Sequence, residues 1–239
     1  MSGEKMLEQI ELTFVNRQSI SKEISLFSFH VNPENFSFNA GQYMNLGMPH
    51  EGKTLFRSFS IASVKGTPGS IDFVIPFRKD GLFSQYIYSL NQGETLQAKG
   101  PFGSMVLDEV NSENIFFFST GTGIVPFRSM LNEIKKKLQE KKTVYFYTQQ
   151  QDPECVPFLN EFLLLVNEFS NFFFKIFCEL CDNVKNQEYF INTQLLNYIT
   201  EISFTQADTV FASGNPDFIK SLKGDSIYSK GKPQCIITD

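Results

Sequence analysis

From Ile10 to about Leu107 the chain runs in short stretches that alternate apolar and polar residues or gather β-branched and aromatic ones: IELTFV, ISLFSFHV, QYMNLGM, RSFSIAS, IDFVIPF and ETLQAKG. Turn formers, NPEN, KGTPGS and NQGE, separate them. A period of two sends successive side chains to opposite faces, so each stretch predicts a half-buried strand. Several such strands joined by tight turns predict an antiparallel β-barrel or sandwich. The stretch LFSQYIYSL, residues 82 to 90, abandons the alternation and predicts one short helix capping the barrel.

After Asn114 the pattern changes. The apolar runs IFFFS, TVYFYT, FFFKIFC, TVFAS and QCIIT alternate with helical spacings, and Phe127, Met130, Leu131, Ile134 and Leu138 fall along one face of the first predicted helix. Continuous apolar strands between helices predict an α/β domain built on a parallel sheet with both faces covered. The shift predicts two domains, residues 1–108 and 112–239, with the boundary near Asp108 to Ser112.

Composition narrows the class. A chain of 239 residues, 41% hydrophobic and 20% charged, can bury two cores, and no apolar run nears the roughly 20 residues of a membrane span. The opening MSGEKMLEQIELTF carries charge where a secretory signal needs an apolar run, so a cytoplasmic protein without a membrane partner is expected. A net charge of -5 argues against nucleic-acid binding, which needs a concentrated basic face. Lys135, Lys136, Lys137, Lys141 and Lys142 read as a solvated helix face, the alternative being a docking patch for an acidic partner. Cys178 and Cys181 form a C-x-x-C without the second pair a metal set needs, so no metal is expected. His30 and His50 are the only histidines and stand in no motif, which leaves no Ser-His-Asp arrangement for hydrolysis.

The chemistry gathers at glycine turns. IFFFSTGTGIVPF runs from a predicted strand through Gly121, Thr122 and Gly123 into a helix opened by Pro126. Such a turn exposes backbone N–H groups and a positive helix end to an anion. It lacks the Lys-Ser/Thr pair of a Walker loop and puts proline where a dinucleotide fingerprint has its third glycine. A second turn, Ser213-Gly214-Asn215-Pro216, follows another predicted strand, and two such turns predict a crevice at the carboxyl ends of a parallel sheet. In the first half, RSFSIAS puts Arg57 and Phe59 on one strand face and Ser60 on the other. Arginine is scarce, 4 among the 21 basic residues, and a bidentate grip on phosphate is a role lysine does not fill. Gly81 and Ser84 open the lone helix and offer another phosphate seat.

In this order the motifs resemble the compact form of the ferredoxin-NADP reductase family, an FAD barrel followed by a pyridine-nucleotide domain without an iron-sulfur module. The resemblance covers about Leu12 to the C-terminus and rests on Arg57-Ser58-Phe59-Ser60, Gly81-Leu82-Phe83-Ser84, Gly121 to Pro126 and Gly214-Asn215-Pro216. It implies that Arg57 contacts the FAD pyrophosphate, Phe59 packs on the flavin and Ser60 lies by the reactive flavin nitrogen. It further implies that Ile61, Ala62 and Ser63 follow the ribityl chain and that Gly81, Phe83 and Ser84 receive the pyrophosphate. Thr122, Gly123 and Pro126 would hold the nucleotide's pyrophosphate, with Ser213 beside the nicotinamide. Phe59 stands where the family usually has tyrosine, and Ser213 where it has cysteine. The implied activity takes a hydride from NADH or NADPH and passes electrons to a one-electron carrier such as ferredoxin, flavodoxin or an oxygenase component. The alternative is a flavin- and nucleotide-binding subunit of a larger assembly with little turnover alone. The segments YTQQQDPE and FCELCDNVKNQ carry no arginine for an extra phosphate, so NADH is expected over NADPH, with Lys185 the remaining cation in reach.

Overall fold

Alternation becomes curvature in the first half of the computed structural model, which describes residues 9–33, 36–65, 69–179, 187–223 and 233–237. Strands β1 (Gln9–Ser19), β2 (Ile24–Asn32), β3 (Tyr43–His50), β4 (Lys53–Ser60), β5 (Ser70–Pro76) and β6 (Thr95–Phe102) lie in the order β4-β3-β6-β1-β2-β5. Every pairing is antiparallel. In β2 the inward residues Phe27, Phe29 and Val31 are buried while His30 is exposed, as a period of two requires. Fully burying one such phenylalanine contributes about 1.5–3 kcal/mol. The two outer strands meet just past β4, where Ile61 bridges Phe73 and turns the sheet into a barrel. The Ala62 N–H donates to the Asp72 carbonyl, and the Asp72 N–H donates to Ser63 Oγ, so the segment after β4 is stitched into that seam. Helix α1 (Leu82–Tyr88) packs Phe83 and Ile87 against the barrel core.

The second half forms a wholly parallel sheet. Its strands are β7 (Asn114–Thr120), β8 (Thr143–Gln149), β9 (Phe172–Cys178), β10 (Phe190–Asn192), β11 (Asp208–Ser213) and β12 (Gln234–Ile237), in the order β10-β9-β8-β7-β11-β12. Central β7 is buried on both faces, which is why it reads as an unbroken apolar run. Phe117 packs with Phe127, Phe146 and Phe211 on one face, and Phe116 and Phe118 with Phe204 on the other. Much of the high phenylalanine content therefore paves the two faces of this sheet. The helices are α2 (Val125–Ser129), α3 (Leu131–Gln139), α4 (Leu159–Glu168), α5 (Leu195–Ile199) and α6 (Pro216–Ser221). The chain divides into two compact units, residues 1–104 and 105–239.

Three features depart from the sequence reading. The first predicted helix of this half breaks at Met130 into α2 and α3. Ser129 Oγ donates to the Pro126 carbonyl, the oxygen that an uninterrupted helix would offer to the Met130 N–H, and that N–H turns to Phe127 instead. Strand β10 is absent from the sequence reading; three residues are too few to show a period, and it pairs parallel with β9. The lysine face is largely neutralised: Lys135 pairs with Glu168, Lys137 with Glu140 and Lys142 with Glu113, and Lys137 is buried. As a continuous positive docking patch it does not survive. Cys178 is disulfide-bonded, while Cys181 and Lys185 lie outside the described residues.

Candidate functional site

In the barrel unit a cavity of about 430 Å³ opens between β4, the β5–α1 loop and α1. Arg57 and Phe59, two apart on β4, both line it, as the strand period predicts. Leu55 and Met48 lie on one side, with Ile75, Pro76 and Leu82 also in its wall. Arg78 and Asp80 line it too. Arg57 is exposed, and one guanidinium nitrogen donates to its neighbour's carbonyl, that of Phe56. Two of the chain's 4 arginines thus face one cavity. Arg78 belongs to none of the sequence motifs; its rarity and its place three residues ahead of Gly81 are the signal the sequence holds.

Ser84 lines the same cavity and also ties its own loop together. It is buried, donates to the carbonyls of Arg78 and Gly81, and accepts from the Arg78 N–H. Its work is to fold the loop that carries Arg78. A Cβ at Gly81 would sit 2.9 Å from Ser84 Oγ and 3.0 Å from Arg78 Cβ, so the close turn needs glycine there. Phe59 rests against Phe83 with ring centroids 5.2 Å apart. Ser58 turns to the opposite face of β4 and donates to Asn45 Oδ1. Ser60, half-buried, shares that face by the strand period. Ile61, Ala62 and Ser63 are buried at the barrel seam with their polar groups engaged there.

The parallel sheet carries a candidate site of its own. The chain leaves β7 outward through β8, β9 and β10, then returns to β11 on the other flank of β7. The reversal sets the carboxyl ends of β7 and β11 side by side at a topological switch point, where open α/β sheets bind ligands. Gly121 follows β7 at φ 54°, a left-handed angle that costs glycine little. From there a 3-10 turn, Gly121–Ile124, precedes α2; Gly121 and Thr122 are half-buried, and Gly123 and Ile124 are buried. A Cβ on Gly123 would meet the carbonyl carbon of Ser213 at 2.5 Å, and one on Gly214 would overlap Thr120 Oγ1. The Asn215 N–H donates to Thr120 Oγ1 at 3.0 Å. Asn215 Oδ1 accepts from the Phe218 N–H and caps α6, with Pro216 in the first helical turn. Pro126 is buried at the start of α2, Thr122 is half-buried, and Ser213 is 7% exposed at the end of β11. Thr120, the hinge between the two turns, was not singled out from sequence.

The residues fit a flavin dinucleotide in the first unit, because two guanidinium groups and an apolar wall share one cavity. They fit a pyridine dinucleotide in the second, because two glycine turns pack together at the carboxyl ends of β7 and β11 and Gly121 leaves open space beside its backbone.

Comparison with known proteins defines the class, a pairing of an oxidoreductase FAD-binding domain with an oxidoreductase NAD-binding domain. Residues 11–107 match the oxidoreductase FAD-binding domain and residues 117–224 the oxidoreductase NAD-binding domain. Together they account for most of the chain, which belongs to the ferredoxin-NADP reductase family. It is 34% identical to ferredoxin-NADP reductase B of Sorangium cellulosum over 52% of this chain and 51% of that protein. It is 27% identical to the reductase component of propane 2-monooxygenase of Rhodococcus jostii over 70% of this chain and 45% of that one. The chain thus spans about half the length of these curated relatives. The fold is shared with a ferredoxin NADP+ reductase of Neisseria gonorrhoeae solved with FAD and NADP, at a TM-score of 0.78 and 18% identity over 96% of this chain and 98% of that one.

Proposed function

We propose that this chain is an FAD-dependent oxidoreductase that takes a hydride from NAD(P)H and hands electrons singly to a small electron-carrier protein or oxygenase component. The observation that carries the reading is the presence in one chain of a two-arginine cavity and a glycine-faced crevice at a sheet switch point. Bound FAD supplies the chemistry that links two-electron hydride transfer to one-electron transfer.

The residues take the remaining work. Arg57 grips the FAD pyrophosphate, and Arg78, held in place by Ser84, shares that charge. Phe59, braced by Phe83, offers a flat apolar face to the flavin without the hydroxyl of a tyrosine. Ser60 presents a hydroxyl at the flavin edge, and backbone from Ile61 to Ser63 lies along the ribityl chain. Gly81, Leu82 and Phe83 bound the phosphate end of the cavity. In the second unit, Thr122, Gly123 and Pro126 position the pyridine nucleotide's pyrophosphate, while Gly214, Asn215 and Pro216 shape the opposite wall. Ser213 sits beside the nicotinamide and helps orient it for transfer.

NADH is the preferred donor. Arg128, the one arginine of the second unit, is bound to Glu161 through Nε and Nη2. Past β8 stand Gln150, Gln151 and Asp152 rather than a cation that would pair with the extra phosphate of NADPH.

Steady-state oxidation of each nucleotide by the FAD-loaded protein, with ferricyanide as acceptor, tests the assignment. Turnover in the range of about 1 to 1000 per second is expected. Binding of both cofactors without turnover would favour the electron-transfer subunit instead.

A further inference from the structure

Beneath the first glycine turn lies a buried polar chain that neither cofactor motif includes. Ser119 Oγ, on β7, donates to Thr148 Oγ1 on the neighbouring β8 at 2.8 Å. Gln150, just past β8, donates from Nε2 to the same Thr148 oxygen at 2.8 Å and to the Gly121 carbonyl at 3.1 Å. Ser119 and Thr148 are 0% exposed and Gln150 is 6% exposed. A carbonyl only accepts, so the amide nitrogen of Gln150 must be the group turned toward Gly121. The backbone of Gln150 is itself pinned, its N–H donating to the Phe177 carbonyl at 2.9 Å. The side chain therefore reaches the turn from a fixed base.

The bond has a directional consequence. The Gly121 carbonyl and the Thr122 N–H belong to one planar trans peptide unit and point opposite ways. A donor that draws the carbonyl toward the β8 side turns the N–H away from it. Gly121 is the residue whose left-handed angle makes that peptide easiest to rotate, so the turn needs an external hold.

We infer that Gln150 is a positioning residue for the pyridine nucleotide: by holding the Gly121 carbonyl it fixes the Thr122 N–H as a donor to the nucleotide's pyrophosphate. This rests on the nucleotide-binding reading of the crevice given above. Gln150 touches no reacting atom. It sets affinity for the diphosphate, while hydride transfer depends on groups further along the crevice.

The test uses the FAD-loaded full chain, with NAD+ binding measured by calorimetry and NADH oxidation by steady-state kinetics. Gln150→Met keeps the length of the side chain and removes both donors. The NAD+ dissociation constant and the KM for NADH should each rise about five- to tenfold, the worth of one lost hydrogen bond, with kcat within about twofold and FAD content unchanged. Ser119→Ala removes the other donor to Thr148 yet leaves the bond to Gly121, and should leave NAD+ affinity within about twofold of the parent. If Ser119→Ala weakens NAD+ as much as Gln150→Met does, the network only packs the strand ends and the positioning role is overturned. It is equally overturned if folded Gln150→Met binds NAD+ as the parent does. Gln150→Asn, one methylene short of the carbonyl, serves the same comparison should the Met variant not fold. A parent chain that takes up FAD but binds neither NAD+ nor NADP+ would instead bring down the nucleotide reading itself.

Discussion

Gly123 lies so close to Ser213 that a single added carbon on the first would sit 2.5 Å from the carbonyl carbon of the second. Gly123 lies in the turn that follows β7 and Ser213 closes β11, so their contact joins the two strand ends at the switch point. Gly123→Ala forces a methyl against the backbone of Ser213 and Gly214, which no rotamer relieves. Overpacking of this kind costs about 1–3 kcal/mol. The variant should lose NADH affinity by tenfold or more while the barrel keeps its FAD, roughly the 1.4 kcal/mol that such a factor represents. Calorimetry with NAD+ beside the flavin absorbance of the same sample checks both halves.

The two arginines of the barrel cavity carry a separate prediction. A hydrogen bond to a charged group contributes about 1.5–3 kcal/mol, so Arg57→Ala or Arg78→Ala should each weaken FAD by roughly ten- to a hundredfold. Arg57→Lys should not restore the parent affinity, because an ammonium cannot make the forked contact. Flavin retention through gel filtration, followed by titration of the stripped protein with FAD, reads the effect.

Donor choice follows from charge. With Arg128 committed to Glu161, the ratio of kcat/KM for NADH to that for NADPH should exceed about ten, a difference of roughly 1.4 kcal/mol. An equal or greater preference for NADPH would put a cation in the crevice that this reading does not supply.

Tyr147 gives the fold an alkaline limit. Burial, followed by the charge and hydrogen bond of Tyr198 and the charge of Tyr145, holds its phenol above the ordinary 10. Below about pH 10 the phenol is neutral in both folded and unfolded chains and costs nothing. Above that, the unfolded chain releases the proton first, so stability falls as pH rises. Tyr147→Phe should flatten part of that fall, measured as urea unfolding from about pH 9 to 11.

Much of this was readable in the sequence because period and punctuation are local. The strand faces of β2 and β4, the buried run of β7 and the two glycine turns all followed from spacing and from residues with special backbone freedom. What escaped depends on reach between elements. Arg78 shares a cavity with Arg57 only because Ser84 folds the intervening loop, and Gln150 meets Gly121 only because β7 and β8 are neighbours in register. The break at Met130 turned on a serine hydroxyl competing for one carbonyl, and the lysine face was neutralised by acids as far along the chain as Glu113 and Glu168. Such partners are set by tertiary packing, which period alone does not encode.

On the proposed function, one chain binds a flavin and draws a hydride to it from a nicotinamide. An anaerobic absorption titration tests it most directly: the purified, FAD-loaded protein is scanned from about 300 to 600 nm as NADH and then NADPH are added. The flavin band should bleach stoichiometrically with NADH and more slowly with NADPH. A bound flavin that neither nucleotide bleaches would contradict it.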